Sequence, residues 1–118
     1  MQVNNQTEPA PPPLVEYLVV GSLSLNRISR VVSIGDRHAS LTTAEFELLV
    51  YLLSHPGQVV SRDELFQRVL GVDYNGTDRT IDLRMSRLRR KLLDLGSPPR
   101  LIKSIRCEGY FLTPNPGE

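Results

Sequence analysis

The sequence predicts an α+β domain in which short antiparallel strands are followed by three helices and a C-terminal β-hairpin. Three observations support this order. Short apolar stretches broken by turn-forming residues occupy residues 14–41, which favours strands. Two capping boxes and a long amphipathic stretch predict helices between residues 42 and 96. Two further apolar stretches around a four-residue turn predict a hairpin at residues 101–113.

Residues 14–41 are predicted to form three short antiparallel strands, near residues 15–20, 23–34 with an interruption, and 38–41. Hydrophobic residues recur in each stretch, as they do in strands that turn one face to a core. The residues that mark turns between the strands are Gly21, Asn26, Gly35 and Asp36.

The first two helices are predicted from the residues at their ends. A threonine or serine followed three positions later by glutamate has the spacing of a capping box, in which two backbone N–H groups gain partners. We expect the first helix to run from Thr42 to near Ser54, before Pro56-Gly57, and the second from Ser61 to Gly71. The capping pairs are Thr42 with Glu45 and Ser61 with Glu64.

The third helix is predicted to begin near Asp78 and end at Gly96, so that it covers residues 78–95. At about 100° per residue, its large apolar residues fall on one narrow stripe, which docks a helix on a core and leaves a broad face in solvent. The stripe residues are Ile81, Met85, Leu88, Leu92 and Leu95. The opposite side carries Arg79, Leu83, Ser86, Arg87 and Arg90.

Positive charge is concentrated on this helix. Residues 78–91 hold six basic and two acidic residues, a net charge of +4, whereas the whole chain carries only +1. Arginines on the free face suit bases and phosphates, and Leu83 in their midst suits a thymine methyl group. The pattern therefore favours binding of DNA. The alternative is a set of exposed arginines that only solubilises the helix.

Two helices, a loop, a basic third helix and a hairpin follow the order of a winged helix-turn-helix domain. The hairpin, or wing, covers residues 101–113, and its strands Leu101–Ile105 and Tyr110–Thr113 are joined by four residues. In this architecture the third helix enters the major groove, and we expect Arg106 at the wing tip to reach the minor groove. The alternative function is docking on an acidic protein surface, because a fold does not fix a function.

Three segments, LTTAEFELLVYLLSHPGQVVSRDEL, DRTIDLRMSRLRRKL and IKSIRCEGYFL, resemble the C-terminal DNA-binding domain of OmpR/PhoB-type response regulators. The resemblance covers about residues 15–113, and residues 71–94 look closest to the RstA branch. It implies a four-stranded N-terminal sheet, three helices and the hairpin. It also implies a transcription regulator whose receiver domain is phosphorylated by a sensor histidine kinase. Two copies would bind head-to-tail on direct repeats of DNA, and loop 71–77 would touch RNA polymerase.

The resemblance also implies roles for single residues. Arg87 matches the principal base-contacting position, and Leu83 matches a position that contacts bases through apolar surface. Arg62 matches a position that contacts the DNA backbone. Ser104 and Arg106 match wing residues, with Arg106 the expected minor-groove arginine. The positions matched near phosphates or base edges are Arg79, Arg84, Ser86 and Arg90.

The wing tip departs from the family pattern Arg-Gly-x-Gly-Tyr. Cys107 stands where the family has its first glycine, which predicts a different turn or a mildly strained one, because glycine alone enters positive φ without steric cost. Glu108 adds a negative charge where a phosphate is expected to pass. Arg106 beside Cys107 would favour a thiolate, so a redox role is the alternative to a plain loop residue.

The chain is expected to hold one domain, residues 14–114, between a proline-rich linker at residues 1–13 and a short tail at residues 115–118. A linker at the front suggests that a second domain precedes it in the natural protein, and the resemblance implies that this domain is a receiver domain. No stretch has the pattern of a membrane span or a secretory signal, and the single cysteine suits a reducing compartment. We therefore expect a cytoplasmic protein.

The sequence predicts neither an enzyme nor a cofactor or metal site. No glycine-rich phosphate loop or nucleophile motif occurs, and His38 and His55 lack neighbours at metal-ligand spacing. Two acidic pairs lie in first helical turns, where they complement the helix dipole instead of acting as acid and base. These pairs are Glu45 with Glu47 and Asp63 with Glu64. Four aromatic residues are predicted to lie in the core or at its edge and not to stack on bases, because they are not interleaved with the basic residues. They are Phe46, Tyr51, Phe66 and Tyr110.

Overall fold

The computed structural model describes residues 16–114 and begins with an antiparallel sheet of four strands. Its strands, paired in chain order, are β1 (Tyr17–Val20), β2 (Leu23–Asn26), β3 (Val31–Ile34) and β4 (Arg37–Ser40). The four-stranded sheet that the resemblance implies is confirmed. The predicted linker (residues 1–13) and tail (residues 115–118) lie outside the described residues.

The prediction of one interrupted strand over residues 23–34 is wrong, because a tight turn divides this stretch into β2 and β3. Asn26 Oδ1 accepts hydrogen bonds from the backbone N–H groups of Ile28 and Ser29, at 2.8 and 2.9 Å. Arg30 then takes a positive φ of 63°, which reverses the chain into β3. An asparagine side chain that satisfies two backbone donors makes the turn locally stable.

Helix α1 (Thr43–Leu53) begins with the complete capping box that the sequence predicts. Thr42 Oγ1 accepts from the Glu45 backbone N–H at 3.2 Å, and Glu45 Oε1 accepts from the Thr42 N–H at 2.9 Å. The helix ends at Ser54, also as predicted. Its buried face of leucines packs against the third helix and the first sheet.

Helix α2 (Arg62–Leu65) continues as a π-helical turn (Phe66–Leu70), which the sequence pattern did not predict. Ser61 caps the helix by accepting from the Glu64 N–H at 3.0 Å. Only half of the second capping box forms, because the Glu64 carboxylate accepts a hydrogen bond from the Tyr51 hydroxyl instead. Gly71 ends the segment with a φ of 73°, where glycine avoids the cost of a left-handed conformation.

Helix α3 (Thr80–Asp94) begins two residues later than predicted. Asp78 is not part of the helix, because its Oδ1 accepts from the Thr80 backbone N–H and hydroxyl, at 2.8 and 2.6 Å, and holds a turn before the helix. The five residues of the predicted apolar stripe are all buried, with exposures between 0% and 9%. The stripe therefore docks α3 on the core that the first sheet and α1 also line.

The wing consists of β6 (Ile102–Ile105) and β7 (Gly109–Leu112), which pair as an antiparallel hairpin. A third strand, β5 (Val59–Val60), lies between α1 and α2 and pairs with β7, in the sheet order β5-β7-β6. Two residues give no periodic pattern, so the sequence did not predict β5. Gly109 is required at this contact, because a Cβ atom there would overlap the Val60 carbonyl oxygen.

Candidate nucleic-acid interface

One side of α3 is an exposed ridge formed by the N-cap residue Arg79 and by four helical residues. These residues are Arg79, Leu83, Ser86, Arg87 and Arg90, and all five are exposed. Leu83 is 56% exposed, and the Arg79 side chain is 76% exposed. The exposed ridge lies opposite the buried stripe, as the helical periodicity predicts. A large apolar residue thus stands in water between arginines, without the packing that normally holds leucine in a core.

Two of the six basic residues in residues 78–91 turn away from the predicted free face. Lys91 turns towards α1, where its Nζ lies 2.7 Å from Glu45 Oε1 and 3.1 Å from the Ser40 carbonyl oxygen. Arg89 turns towards the wing, where Nη1 donates to Ser104 Oγ at 2.9 Å and to the Ile102 carbonyl at 3.4 Å. These two side chains fix α3 between the first sheet and the wing.

Three other arginines remain available to a ligand. Among residues 16–114, the side chains of Arg84, Arg87 and Arg90 have no ion pair or hydrogen-bond partner. Arg87 and Arg90 line a shallow depression of about 410 Å³ together with Ser86, Lys91 and Asp94. Unpaired guanidinium groups beside a concave surface suit a ligand that carries several acceptors.

The Asp82 carboxylate joins α2, α3 and the wing on the wing side of the exposed ridge. Asp82 Oδ1 accepts from Arg62 Nε at 2.9 Å and from the Tyr110 hydroxyl at 2.5 Å, and Oδ2 accepts from Arg79 Nε at 3.2 Å. Burial raises the pKa of Asp82, but the hydrogen bonds from Tyr110 and Arg62 and the charges of Arg62 and Arg79 outweigh it. The pKa of Asp82 is therefore below its ordinary value.

Tyr110 is the buried partner in this cluster, with 2% of its surface exposed. The guanidinium carbon of Arg62 lies 5.1 Å from the centre of its ring, and that of Arg89 lies 5.4 Å away. Burial, followed by the hydrogen bond and negative charge of Asp82, raises the pKa of Tyr110 to about 12. Tyr110 is therefore a neutral donor at physiological pH, and it connects β7 to α3.

Arg62 and Arg79 border an open groove of about 490 Å³ between the starts of α2 and α3 and the wing tip. Cys107 and Glu108 form part of its rim. The Arg62 side chain is 26% exposed, so it is partly covered by its neighbours. Of the two arginines, Arg79 has the more exposed side chain, at 76%.

The wing tip carries the two remaining predicted residues. Ser104 and Arg106 are both exposed, and the Ser104 hydroxyl, which accepts from Arg89, can still donate to a ligand. The turn is closed by the Glu108 N–H, which donates to the Ile105 carbonyl at 3.0 Å. Cys107 takes a φ of 64°, so the mild strain predicted from the cysteine is present.

Sequence reasoning missed the roles of Asp82, Tyr110 and Arg89. Tyr110 was correctly predicted as a core residue, but its hydroxyl has a polar partner that no spacing in the sequence indicates. One feature of the sequence could have indicated this cluster, namely the acidic residue Asp82 within a basic helix. A carboxylate there requires either exposure or a close cation, and Arg62 and Arg79 supply the cations.

The remaining candidates have structural explanations. His55 Nδ1 lies 2.8 Å from the Tyr51 carbonyl oxygen at the end of α1, and its ring stacks on Tyr51. Glu45 caps α1 and pairs with Lys91. Within residues 16–114, no three residues of the metal-binding types cluster, and no helix is long and apolar enough to span a membrane.

Comparisons with known proteins found a matching family, similar sequences and similar solved structures. Residues 36–112 match the family described as "Transcriptional regulatory protein, C terminal". The transcriptional regulatory protein RstA of Escherichia coli (strain K12) is 45% identical over 98 residues, which are 83% of this chain and 41% of that protein. This chain thus spans less than half the length of that relative.

Solved structures are similar over most of the chain. The Klebsiella pneumoniae RstA DNA-binding domain, in complex with the RstA box, matches with a TM-score of 0.77 and 40% identity, covering 86% of this chain and 100% of that one. The DNA-binding domain of CpxR from E. coli matches with a TM-score of 0.74 and 39% identity, covering 86% and 98%.

Proposed function

The chain belongs to the family of C-terminal domains of transcriptional regulatory proteins of the OmpR/PhoB type, and from this premise we propose that it binds double-stranded DNA sequence-specifically. It would be the effector domain of a two-component regulator. The observation that carries this proposal is the exposed ridge of α3, in which a leucine with 56% exposure stands among exposed arginines. This family consists of transcription regulators and not of enzymes.

The exposed ridge has the composition that a major groove requires. Arg87 offers a guanidinium fork that fits the two acceptors of guanine, and Leu83 offers apolar surface to a thymine methyl group. Both positions lie on a helix whose opposite face is firmly buried, so they are presented rigidly. We propose Arg87 as the principal base-contacting residue and Leu83 as the apolar one.

The phosphate contacts would come from residues around the exposed ridge. Arg62 borders the groove at the wing, and the wing itself supplies Ser104 for a phosphate and Arg106 for the minor groove. The other proposed contacts to phosphates or base edges are Arg79, Arg84, Ser86 and Arg90. Glu108 at the wing tip would repel a phosphate, which favours a shallow approach of Arg106.

Partners of the whole protein follow from the family and remain part of the proposal, since the chain spans 41% of its E. coli relative. A receiver domain would precede the linker and be phosphorylated by a sensor histidine kinase. Two copies would bind head-to-tail on direct repeats. Loop 71–77 would contact RNA polymerase, and the 51% exposure of Val72 supports this proposal.

The test is selection of bound sequences from a random duplex pool, followed by a salt titration on the winner and on a scrambled duplex. We expect a direct repeat that binds much more tightly than the scramble, with a salt slope of about −0.9 per phosphate contacted. Arg87→Ala should reduce this preference, whereas Arg37→Ala, which removes the same charge from β4, should not. Equal, salt-sensitive binding to every duplex would reject the proposal and favour docking on an acidic protein.

A further inference from the structure

A partly buried carboxylate, that of Asp82, lies beside the surface that is proposed to meet phosphates. The Asp82 side chain is 16% exposed and lies one residue from Leu83 on the exposed ridge. Its negative charge would repel phosphates and would thereby lower the affinity for every duplex. Asp82 can therefore assist DNA binding only through a contribution other than charge attraction.

The hydrogen bonds around Asp82 indicate what it supplies. Arg62 and Arg79 both donate to it through Nε, at 2.9 and 3.2 Å. The guanidinium group of Arg62 also interacts with the Tyr110 side chain and is partly covered, whereas the terminal Nη groups of Arg79, whose side chain is 76% exposed, have no hydrogen-bond partner among residues 16–114. A side chain fixed in this way loses less conformational freedom when it binds, because part of the ordering has already taken place.

The two arginines are also fixed relative to the rest of the domain. Arg62 comes from the start of α2 and Arg79 from the start of α3, while Tyr110 donates to the same carboxylate from β7 of the wing. The Arg62 guanidinium lies on the Tyr110 ring as well, at 5.1 Å. The guanidinium groups of Arg62 and Arg79 are therefore held in fixed positions relative to the exposed ridge.

We propose that Asp82 is a positioning residue of the DNA-binding face, which orients Arg62 and Arg79 so that they set the register of the domain on the duplex. Phosphate contacts carry no base information, but they fix where the base-contacting residues fall. Asp82 thus raises the discrimination between matched and unmatched DNA, while its charge lowers the affinity for both. This inference rests on the proposed function and specifies how the same face discriminates.

The test compares Asp82→Asn with a matched control, Asp94→Asn, in the complete 118-residue chain. Asp94 is exposed on the same helix and has no ion pair with any residue from 16 to 114, so its replacement removes the same charge without freeing an arginine. Dissociation constants are measured on the selected duplex and on a scrambled one. Thermal unfolding of each variant checks that the domain is folded.

We expect Asp82→Asn to bind the scrambled duplex more tightly than the wild type and to lose about tenfold in the ratio of matched to scrambled affinity. Asp94→Asn should strengthen binding to both duplexes alike and leave the ratio unchanged. A purely structural role for Asp82 would weaken binding to both duplexes by one common factor, and that result would overturn the proposal. So would identical behaviour of the two variants.

A second variant covers the case in which Asp82→Asn does not fold. Arg62→Lys keeps the positive charge but lacks the rigid fork that donates to Asp82 and projects outward at once. We expect its affinity for scrambled DNA to stay near the wild-type value while the ratio falls, and an unchanged ratio would contradict the positioning role. If the wild type does not discriminate between the two duplexes, the proposed function is rejected. If the wild type discriminates and the variants keep its affinity ratio, only the positioning role of Asp82 is rejected.

Discussion

Replacing Tyr110 by phenylalanine removes one hydroxyl from the Asp82 cluster and nothing from the apolar core. A hydrogen bond to a charged group contributes about 1.5–3 kcal/mol, so at neutral pH we expect Tyr110→Phe to lower the free energy of unfolding by about that amount. Because Asp82 keeps its hydrogen bonds to Arg62 and Arg79 in this variant, we expect the loss to lie at the lower end of that range.

The dependence on pH follows from the raised pKa of Tyr110, which is about 12 in the folded domain against an ordinary value of 10.0. The stabilisation is fully present below the unfolded pKa and is lost as pH rises through the folded pKa. Two units at about 1.36 kcal/mol each give a loss of at most about 2.7 kcal/mol between pH 10 and pH 12.

Urea unfolding of the wild type and of Tyr110→Phe, measured from pH 8 to about pH 12, gives the difference between the two chains, in which the titration of shared groups cancels. That difference should be constant up to about pH 10 and then shrink. A difference that stays constant through pH 12 would refute the hydrogen bond to Asp82 as the source of the stabilisation.

Four further changes test separate parts of the domain. Arg87→Ala should lose about 1–3 kcal/mol of binding to the selected duplex and relax preference at one base pair, measured by titration of single-substituted duplexes. Arg84→Ala should weaken matched and scrambled duplexes equally and reduce the salt slope by about 0.9, measured by salt titration. Leu88→Ala should lower the free energy of unfolding by about 2–5 kcal/mol, since Leu88 is 0% exposed, measured in urea. Cys107→Gly should raise the free energy of unfolding by about 0.5–1 kcal/mol, measured by thermal unfolding. Glycine adopts the φ of 64° without steric strain, and the gain is reduced by the larger conformational entropy of glycine in the unfolded chain.

Most of the fold was predictable where local chemistry decides it. The Thr42 capping box, the Gly71 stop and the apolar stripe of α3 act within one or two helical turns, and all three are present as predicted. Where side-chain hydrogen bonds compete with the periodic pattern, the prediction failed. Asn26 cut one predicted strand into two, and Asp78 delayed the start of α3.

The site was predictable on α3 and not beyond it. Helical periodicity places the exposed ridge from sequence alone, since its residues belong to a single element. The Asp82 cluster joins positions 20 and 28 residues apart, and no local pattern indicates which arginine or tyrosine meets the carboxylate. The contacts of Arg89 and Lys91 were not predictable for the same reason, because their partners lie on the wing and at the start of α1.

The two-residue strand β5 has a consequence for how the domain unfolds. It hydrogen-bonds β7 to the connection between α1 and α2, at a point where Gly109 allows two backbones to touch. The hairpin is therefore tied into the first half of the chain and does not open as an independent unit. Amide hydrogens of β7 should exchange with solvent at rates close to those of α1, because the hairpin and the first helices would then open as one cooperative unit.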